Sequence, residues 1–190
     1  MKILVLNSGS SSIKYQLFDM TNSKNEAIYR GIIEEVIDYE SSLNDIFKQL
    51  INTNIIDSFN DIDAYGHRVV HGGEYFSKPT IINQEVIDVI EHVSSFAPLH
   101  NIANLKGILS VFKINPKSKQ VAVFDTSFHQ TIPKKAYVYP IPYELYEKNK
   151  IRRYGFHGTS HQFVANQCAS YLNKPLEELN LITVHLGNGA

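Results

Sequence analysis

The sequence predicts an α/β domain with a mixed β-sheet, and three observations lead to this prediction. Three consecutive stretches of strand character open the chain. After them, segments with apolar residues at helical spacing alternate with short apolar runs typical of strands. The chain is 43% hydrophobic and 11% aromatic, so it can bury a normal core. Strands followed by alternating helices and strands are typical of an α/β domain.

Length and charge narrow the function classes. The chain has 190 residues, enough for one domain or for one domain and part of another. Its 18 basic and 19 acidic residues give a formal net charge of −1, which argues against a nucleic-acid surface or a polybasic membrane patch. The single cysteine, Cys168, excludes an internal disulfide and fits a reducing compartment. The N-terminus resembles neither a signal peptide nor a membrane span, so we expect a soluble cytoplasmic protein.

The first two strands, at residues 3–6 and 13–18, are predicted to form a hairpin around a serine-rich turn at residues 7–12. Gly9 can adopt a positive φ, and the serines carry N–H and O–H donors that could cradle phosphate oxygens. Side chains alternate along a strand, so Lys14 lies on the same face as Ser12, where its ammonium could meet a phosphate. The turn lacks the Walker pattern, and an ordinary hairpin turn is the alternative.

The middle of the chain continues the alternation of predicted helices and strands. Ser41 or Ser42 is predicted to cap a helix, and Ala97 to His100 is predicted to be a loop. The helix after this loop should bury Ile102, Leu105, Ile108 and Leu109. The predicted strands lie at residues 27–33, 62–70 and 120–124, and the predicted helices lie at residues 41–51, 84–93 and 101–112.

The composition changes after Ser127. Closely spaced prolines indicate an irregular crossing segment, with Pro133, Pro140 and Pro142 as its markers. Thr159 is predicted to cap a helix that ends at Tyr171, with an apolar stripe of Val164, Cys168, Tyr171 and Leu172. A strand at residues 179–186 then leads into a glycine-rich turn, after which no returning strand follows. We therefore expect a first domain at residues 1–127 and the truncated start of a second at residues 128–190.

Two charged residues stand out as candidates for phosphoryl-transfer chemistry. Asp125 directly follows an apolar strand, where a carboxylate could hold Mg²⁺ and position a nucleophile. A helix or turn cap is the alternative. Arg68 lies within a strand, and its guanidinium suits a carboxylate or a phosphate. A structural ion pair is the alternative for Arg68.

Histidines and a second glycine turn complete the candidate site. His67 and His71 would lie roughly 13 Å apart on a strand, so we reject a zinc site there. His157 lies in a loop beside two glycines and could donate to a transferring phosphoryl oxygen, although a solvated loop histidine is the alternative. The turn at residues 187–189 could hold a polyphosphate together with the first turn. On its own, it could equally be a simple tight turn.

Five motifs together resemble the acetate kinase family, in that family's order along the whole chain. They are NSGSSSIK at residues 7–14, HRVVHGG at 67–73, FDTSFHQ at 124–130, YGFHGTSH at 154–161 and HLGNG at 185–189. The resemblance implies an actin-like, ribonuclease H-like ATPase fold with two duplicated domains around a nucleotide cleft. It also implies reversible phosphoryl transfer between ATP and acetate, giving acetyl phosphate and ADP, with Mg²⁺ or alternatively Mn²⁺. The complete enzyme would be a homodimer.

The resemblance also implies a role for each matching residue. Asn7 and Asp125 would lie at the metal, and Asp125, His157 and Arg68 would be catalytic, with Arg68 holding the acetate carboxylate. Val70, Leu99 and Phe156 would contact the acetate methyl group, and His100 would lie in the same cleft. The nucleotide phosphates would contact Asn7, Ser10, Ser12, Lys14, His185, Leu186, Gly187, Asn188 and Gly189.

Two other functions also fit the sequence, and part of the expected active site lies outside these 190 residues. A propionate or butyrate kinase of the same superfamily differs only in the size of its acid pocket. A non-catalytic actin-like ATP-binding module would need no site for a small carboxylate. A second arginine, a metal-binding glutamate and the adenosine pocket would lie beyond Ala190, so we expect these 190 residues alone to be inactive as a kinase.

Overall fold

One mixed six-stranded sheet organises the computed structural model, which describes residues 1–21 and 26–187. The strands are β1 (Lys2–Ser8), β2 (Ser12–Asp19), β3 (Ala27–Glu34), β4 (Ala64–Val69), β5 (Thr80–Ile81) and β6 (Gln120–Phe124). Their order in the sheet is β3-β2-β1-β4-β6-β5. The first three strands pair as antiparallel neighbours, β4 and β6 run parallel to β1, and β5 is antiparallel. The predicted mixed sheet is therefore confirmed.

Helices cover one face of the sheet, and further helices follow the last strand along the chain. The segment predicted to be irregular contains two short helices, Lys134–Tyr137 and Tyr143–Asn149. In residues 1–21 and 26–187, no helix is both long and apolar enough to cross a membrane. The helices are α1 (Tyr39–Asn52), α2 (Gln84–His92), α3 (Pro98–Ile114), α4 (Lys134–Tyr137), α5 (Tyr143–Asn149) and α6 (Gly158–Leu172), with 3₁₀ turns at Phe59–Asp61, Val93–Phe96, Ser127–Thr131 and Leu176–Glu178.

The core lies between the helix-covered face of the sheet and helices α1, α2 and α3. Under α1, the inward side chains of β1 and β2 form the larger cluster, which includes Leu4, Leu6 and Tyr15. Under α2, side chains of β4 and β6 form a second cluster around Val69 and Phe124. Helix α3 contributes to both clusters. This packing holds α3 against the ends of β1 and β4.

Several predicted boundaries are wrong, each for a local physical reason. Helix α1 is capped by Asp38, whose carboxylate accepts the Ser41 N–H at 2.8 Å. Helix α3 begins at Pro98 inside the predicted loop, because proline fits the first helical position. Helix α6 begins at Gly158, one residue before the predicted Thr159 cap. Residues 179–186 form no strand in the described part of the chain, since no described segment pairs with them.

The inward face of α3 also differs from the prediction. Ile108 is buried as expected and Leu105 is partly buried, but Ile102 and Leu109 are exposed. The inward positions belong instead to Asn101, Ala103, Asn104, Gly107, Ile108 and Val111. Two of these side chains are amides because the helix faces strand ends whose backbone groups need partners.

The predicted apolar stripe of α6 is mostly exposed. Val164 and Leu172 are nearly half exposed, and Tyr171 is 87% exposed. The buried residues of this helix are Gly158 and Ala165. Amphipathic spacing therefore did not predict burial here, since the described chain does not cover this face.

Two buried histidines make the stability of this chain depend on pH. His67 and His71 are each 2% exposed, and burial lowers the pKa of each to about 4. Because both folded pKa values lie below the usual 6.5, the unfolded chain binds more protons between these values. Stability is therefore lost as the pH falls from about 6.5 towards 4. Each histidine should lower the free energy of unfolding by about 2 kcal/mol between pH 7 and pH 5.

Urea unfolding of this chain at pH 7 and pH 5 tests that expectation. His67→Leu should unfold with a shallower dependence on pH than the parent chain, because one of the two groups is gone. An equally steep dependence in this variant would show that His67 does not contribute, and equal stability at both pH values would contradict the prediction for both histidines.

Candidate active site

The ends of three parallel strands bring three predicted site residues together. Asn7 lies near the end of β1, Arg68 lies near the end of β4, and Asp125 directly follows β6. The carboxyl ends of parallel strands share one edge of the sheet, where α/β domains commonly bind ligands. The Asp125 N–H also donates to the Val69 carbonyl at 2.9 Å, which continues the β4–β6 pairing into the site.

Arg68 and Asp125 form a two-point ion pair. Arg68 Nε lies 3.0 Å from Asp125 Oδ1, and Arg68 Nη2 lies 2.7 Å from Asp125 Oδ2. The Asp125 side chain is 1% exposed, whereas the Arg68 side chain is 34% exposed. The hydrogen bonds to Asp125 raise the pKa of Arg68, so the guanidinium remains charged. The ion pair considered as the alternative for Arg68 is therefore present in this structure.

The other contacts of Arg68 connect it to two more predicted residues. Its Nη1 lies 3.4 Å from Asn7 Oδ1, and its Nη2 lies 3.5 Å from His157 Nδ1. His157 Nδ1 is also 3.9 Å from Asp125 Oδ2. Arg68 therefore lies at the centre of a cluster with Asn7, Asp125 and His157.

The start of α6 is held against Asp125, and this contact places His157. The Gly158 N–H donates to the Asp125 carbonyl at 2.9 Å, and a Cβ at Gly158 would overlap that carbonyl oxygen. His157 has a φ of 53° and turns its side chain into the cluster. Its ring stacks on His185, with centroids 4.2 Å apart and planes 8° apart.

The electrostatic surroundings favour a neutral His157. Burial and, secondly, the neighbouring His185 lower the pKa of His157, although Asp125 opposes this shift. The unperturbed value is already below neutral pH, so the imidazole is mainly neutral there. In this geometry His157 can donate one hydrogen bond to an oxygen but does not add a positive charge.

A cavity of about 480 Å³ opens beside Arg68 and contains the predicted acid-binding residues. Its walls combine apolar surface with a charged end at Arg68 and Asp125. Sequence reasoning missed Phe96, Ala97 and Pro98, because no periodic pattern in the sequence marks them as lining residues. The complete lining is Arg68, Val70, Phe96, Ala97, Pro98, Leu99, His100, Asp125, Phe156 and His157.

A cluster of rings supports the aromatic wall of this cavity. The buried His71 ring lies 5.5 Å from Phe156, 5.2 Å from Phe96 and 4.5 Å from Tyr154, measured between centroids. His71 Nδ1 accepts the Gly73 N–H at 3.0 Å. His71 therefore supports the wall as a neutral ring and does not line the cavity itself.

A smaller cavity of about 160 Å³ lies at the serine-rich turn. Ser12 and Lys14 line it as predicted, but Ser10 is exposed and is not part of its lining. Gly9 does not adopt a positive φ, and its N–H donates to the Ser12 carbonyl at 2.7 Å within the turn. The lining is Asn7, Ser8, Gly9, Ser12, Lys14, Arg68, Val70, His100 and Asn104, of which sequence reasoning missed Asn104.

The second predicted phosphate loop is only partly described. His185 reaches the cluster through its stack on His157 and a 3.0 Å hydrogen bond between its Nδ1 and Ser160 Oγ. Leu186 is 80% exposed, and nothing lies within 4 Å of a Cβ built on Gly187. Asn188 and Gly189 lie outside the described residues. The structure therefore brings His185 to the site without testing the loop as a whole.

Two oxygen-bearing side chains at the strand ends could hold a metal ion whose other ligands are phosphate and water. No group of three or more His, Cys, Asp or Glu side chains in residues 1–21 and 26–187 is arranged to hold a metal ion. Asn7 and Asp125 offer an amide oxygen and a carboxylate, and both contact the same guanidinium. Mg²⁺ typically takes one or two carboxylates with phosphates and waters, so these two residues fit it.

Comparisons with known proteins point in one direction. A model of the acetokinase family matches residues 2–39 and 32–190. Over the whole chain, the sequence is 50% identical to the acetate kinase of Thermotoga maritima and 51% identical to that of Halothermothrix orenii. It covers 53% and 54% of those proteins, so the chain spans about half the length of these relatives.

The solved structures of two kinases share the fold of this chain. The chain matches the crystal structure of Porphyromonas gingivalis acetate kinase with a TM-score of 0.92 and 39% identity, over 99% of this chain and 53% of that one. It matches a propionate kinase from Francisella tularensis with a TM-score of 0.84 and 38% identity, over 91% of this chain and 49% of that one. The predicted fold class is confirmed.

Proposed function

Because the chain belongs to the acetokinase family, we propose that it supplies the first half of an acetate kinase. The enzyme would transfer a phosphoryl group reversibly between ATP and acetate, giving acetyl phosphate and ADP. One observation carries the proposal: Arg68, Val70 and His100 line both the apolar cavity and the cavity at the serine-rich turn. A small acid in the first cavity would therefore lie beside a phosphate in the second.

The acid would bind with its methyl group on the apolar wall and its carboxylate towards Arg68. Val70, Leu99 and Phe156 supply the apolar contacts. Arg68 uses Nε and Nη2 to hold Asp125, and its Nη1 makes only the long contact to Asn7 among the described residues. Nη1 is thus the end of the guanidinium that can donate to an incoming carboxylate.

The phosphate would bind between the serine-rich turn and His157. Ser12 and Lys14 line the smaller cavity and would supply a hydroxyl and an ammonium, and neutral His157, in contact with Arg68, would supply an N–H. Fixed donors of this kind stabilise the charge on a transferring phosphoryl group. Mg²⁺ or Mn²⁺, held through Asn7 and Asp125, would supply further neutralisation of the phosphate charge.

A propionate kinase is the second candidate, favoured by the similarity to the Francisella tularensis enzyme. The acid cavity of about 480 Å³ is open, and Leu99 on its wall is 75% exposed. One additional methylene changes binding by only about 1–3 kcal/mol in such a pocket. The two activities therefore need a direct measurement.

We expect acetate to have the highest kcat/KM among formate, acetate, propionate and butyrate, by about 10-fold or more over propionate. The assay traps the acyl phosphate as a hydroxamate after incubation with ATP and Mg²⁺. It uses a polypeptide of the family's full length that carries this chain, with the 190-residue chain in parallel, which we expect to be inactive.

Three results would contradict parts of this proposal. A higher kcat/KM for propionate would assign the second candidate function. ATP turnover without acyl phosphate from any of the four acids would instead support the ATP-binding module. Acyl phosphate formed by the 190-residue chain at the full-length rate would show that the expectation for the isolated chain is wrong.

The proposal extends to the organisation of the complete enzyme. Residues 128–190 would begin a second, similar domain, and the mostly exposed stripe of α6 would be covered there. The complete enzyme would be a cytoplasmic homodimer that acts on acetate, acetyl phosphate and ATP, without nucleic-acid or membrane partners. The near-zero net charge supports the last two expectations.

A further inference from the structure

A gap opens where β1 and β4 stop pairing. Their parallel register ends with Leu6 opposite His67, and the strands continue beyond this point to Ser8 and Val69. The 160 Å³ cavity lies at this gap, with Ser8 on one side and Val70 on the other. The two strand ends therefore reach the candidate phosphate and acid sites beyond their last paired residues.

The side chain of Asn104 bridges this gap. Its Nδ2 donates to the Ser8 carbonyl at 2.6 Å, and its Oδ1 accepts the Val70 N–H at 3.0 Å. The residue is 3% exposed, and it comes from α3. The amide thus takes the place of a peptide group between the two strands, with one bond to each.

Other residues of α3 also contact the two strand ends. Gly107 faces the same turn, and a Cβ there would overlap Ser8 Oγ. Asn101, one turn earlier, binds the next residue of the second strand end: its Oδ1 accepts the His71 N–H at 2.9 Å, and its Nδ2 donates to the His71 carbonyl at 2.8 Å. The helix is therefore in close contact with both strand ends.

We propose that Asn104 is a positioning residue that sets the separation between the serine-rich turn and the acid pocket. The inference rests on the proposed function. Ser8 leads into the turn that would hold phosphate, and Val70 forms part of the wall that would hold the acid. An amide bonded to both fixes how far the acceptor oxygen lies from the phosphoryl group, and transfer rates depend steeply on that alignment.

Asn104→Leu tests this role because leucine keeps the approximate size and removes both hydrogen bonds. In the full-length enzyme we expect kcat to fall by about 10–100-fold, with the KM values for acid and ATP changing less than about threefold. Val111→Ala is the control, since it alters a buried residue of the same helix whose apolar side chain cannot hydrogen-bond to either strand end. It should lower stability and leave kcat unchanged.

Two further measurements keep the test decisive. If Asn104→Leu does not fold, as judged by circular dichroism, Asn104→Ala removes the same two hydrogen bonds with a smaller side chain, and it should lower kcat in the same way. In this 190-residue chain, hydrogen exchange of the Val70 amide should accelerate more in Asn104→Leu than in Val111→Ala, because only the first variant removes the partner of that amide.

The outcomes separate this inference from the proposed function. An active parent enzyme whose kcat is unchanged in the Asn104→Leu variant, or in Asn104→Ala if the former does not fold, overturns the positioning role alone. An equal loss of kcat in Val111→Ala also overturns it, because the effect would then follow stability. A parent enzyme that forms no acyl phosphate overturns the proposed function, and the positioning role with it.

Discussion

Replacing Asp125 with asparagine should lower the kcat of the full-length enzyme by at least about 10³-fold, because charge stabilisation of this kind is worth that much in phosphoryl and acyl transfer. The amide keeps the shape of the side chain and can still accept a hydrogen bond from Arg68. It has no charge to hold a cation or to balance the guanidinium. Steady-state acyl phosphate formation at saturating acid and ATP measures the effect.

The same variant distinguishes catalysis from a structural role. In the described residues, the Asp125 carboxylate accepts hydrogen bonds from Arg68 and caps no helix. Because Arg68 is partly exposed, water can solvate its charge after the substitution, so unfolding free energy should fall only modestly. A turnover near that of the parent enzyme would exclude a catalytic Asp125, and a large loss of stability would indicate a structural one.

Replacing Arg68 with alanine should raise the KM for the acid by about 30-fold or more, since losing a buried charged hydrogen bond costs about 2–5 kcal/mol. The KM for ATP should change much less if Nη1 binds the carboxylate as proposed. Initial rates over a matrix of acid and ATP concentrations give both values. Equal changes for the two substrates would indicate that Arg68 acts through its ion pair alone.

The ion pair adds a second expected effect of Arg68→Ala. The substitution leaves Asp125 without its partner, and the Asp125 side chain is 1% exposed. A buried charge left alone typically costs about 3–5 kcal/mol of stability. Adding Asp125→Asn should recover part of that loss, because the unpaired charge disappears. A double variant less stable than Arg68→Ala would show that desolvation of Asp125 is not the cause.

Local patterns in the sequence predicted most of the elements. Strand alternation placed Ser12 and Lys14 on the outer face of β2, as observed, and the apolar run at residues 120–124 matches β6. Helix α3 shows where such patterns fail. Its inward face carries Asn101 and Asn104, and periodicity of apolar residues cannot identify a face that binds unpaired backbone groups.

Motifs along the chain predicted which residues belong to the candidate site, but not how they contact one another. The sequence left a ligand and an ion pair as alternatives for Arg68, and the structure shows the ion pair. It also shows that His157 is partly buried and stacks on His185, and both its burial and this neighbour favour the neutral ring. The aromatic support from His71 and Phe96 was missed, because rings that meet across loops leave no periodic signal.

By itself, the sequence determined the mixed sheet, the family resemblance and the residue types at the strand ends, because these depend on neighbouring residues. Only the tertiary structure decided which of these groups meet. Arg68 and Asp125 are 57 positions apart, and Asn104 reaches Ser8 across 96 positions. Contacts at such separations depend on how strands and helices pack, and the hydrogen bonds that strand ends lack are visible only once that packing is known.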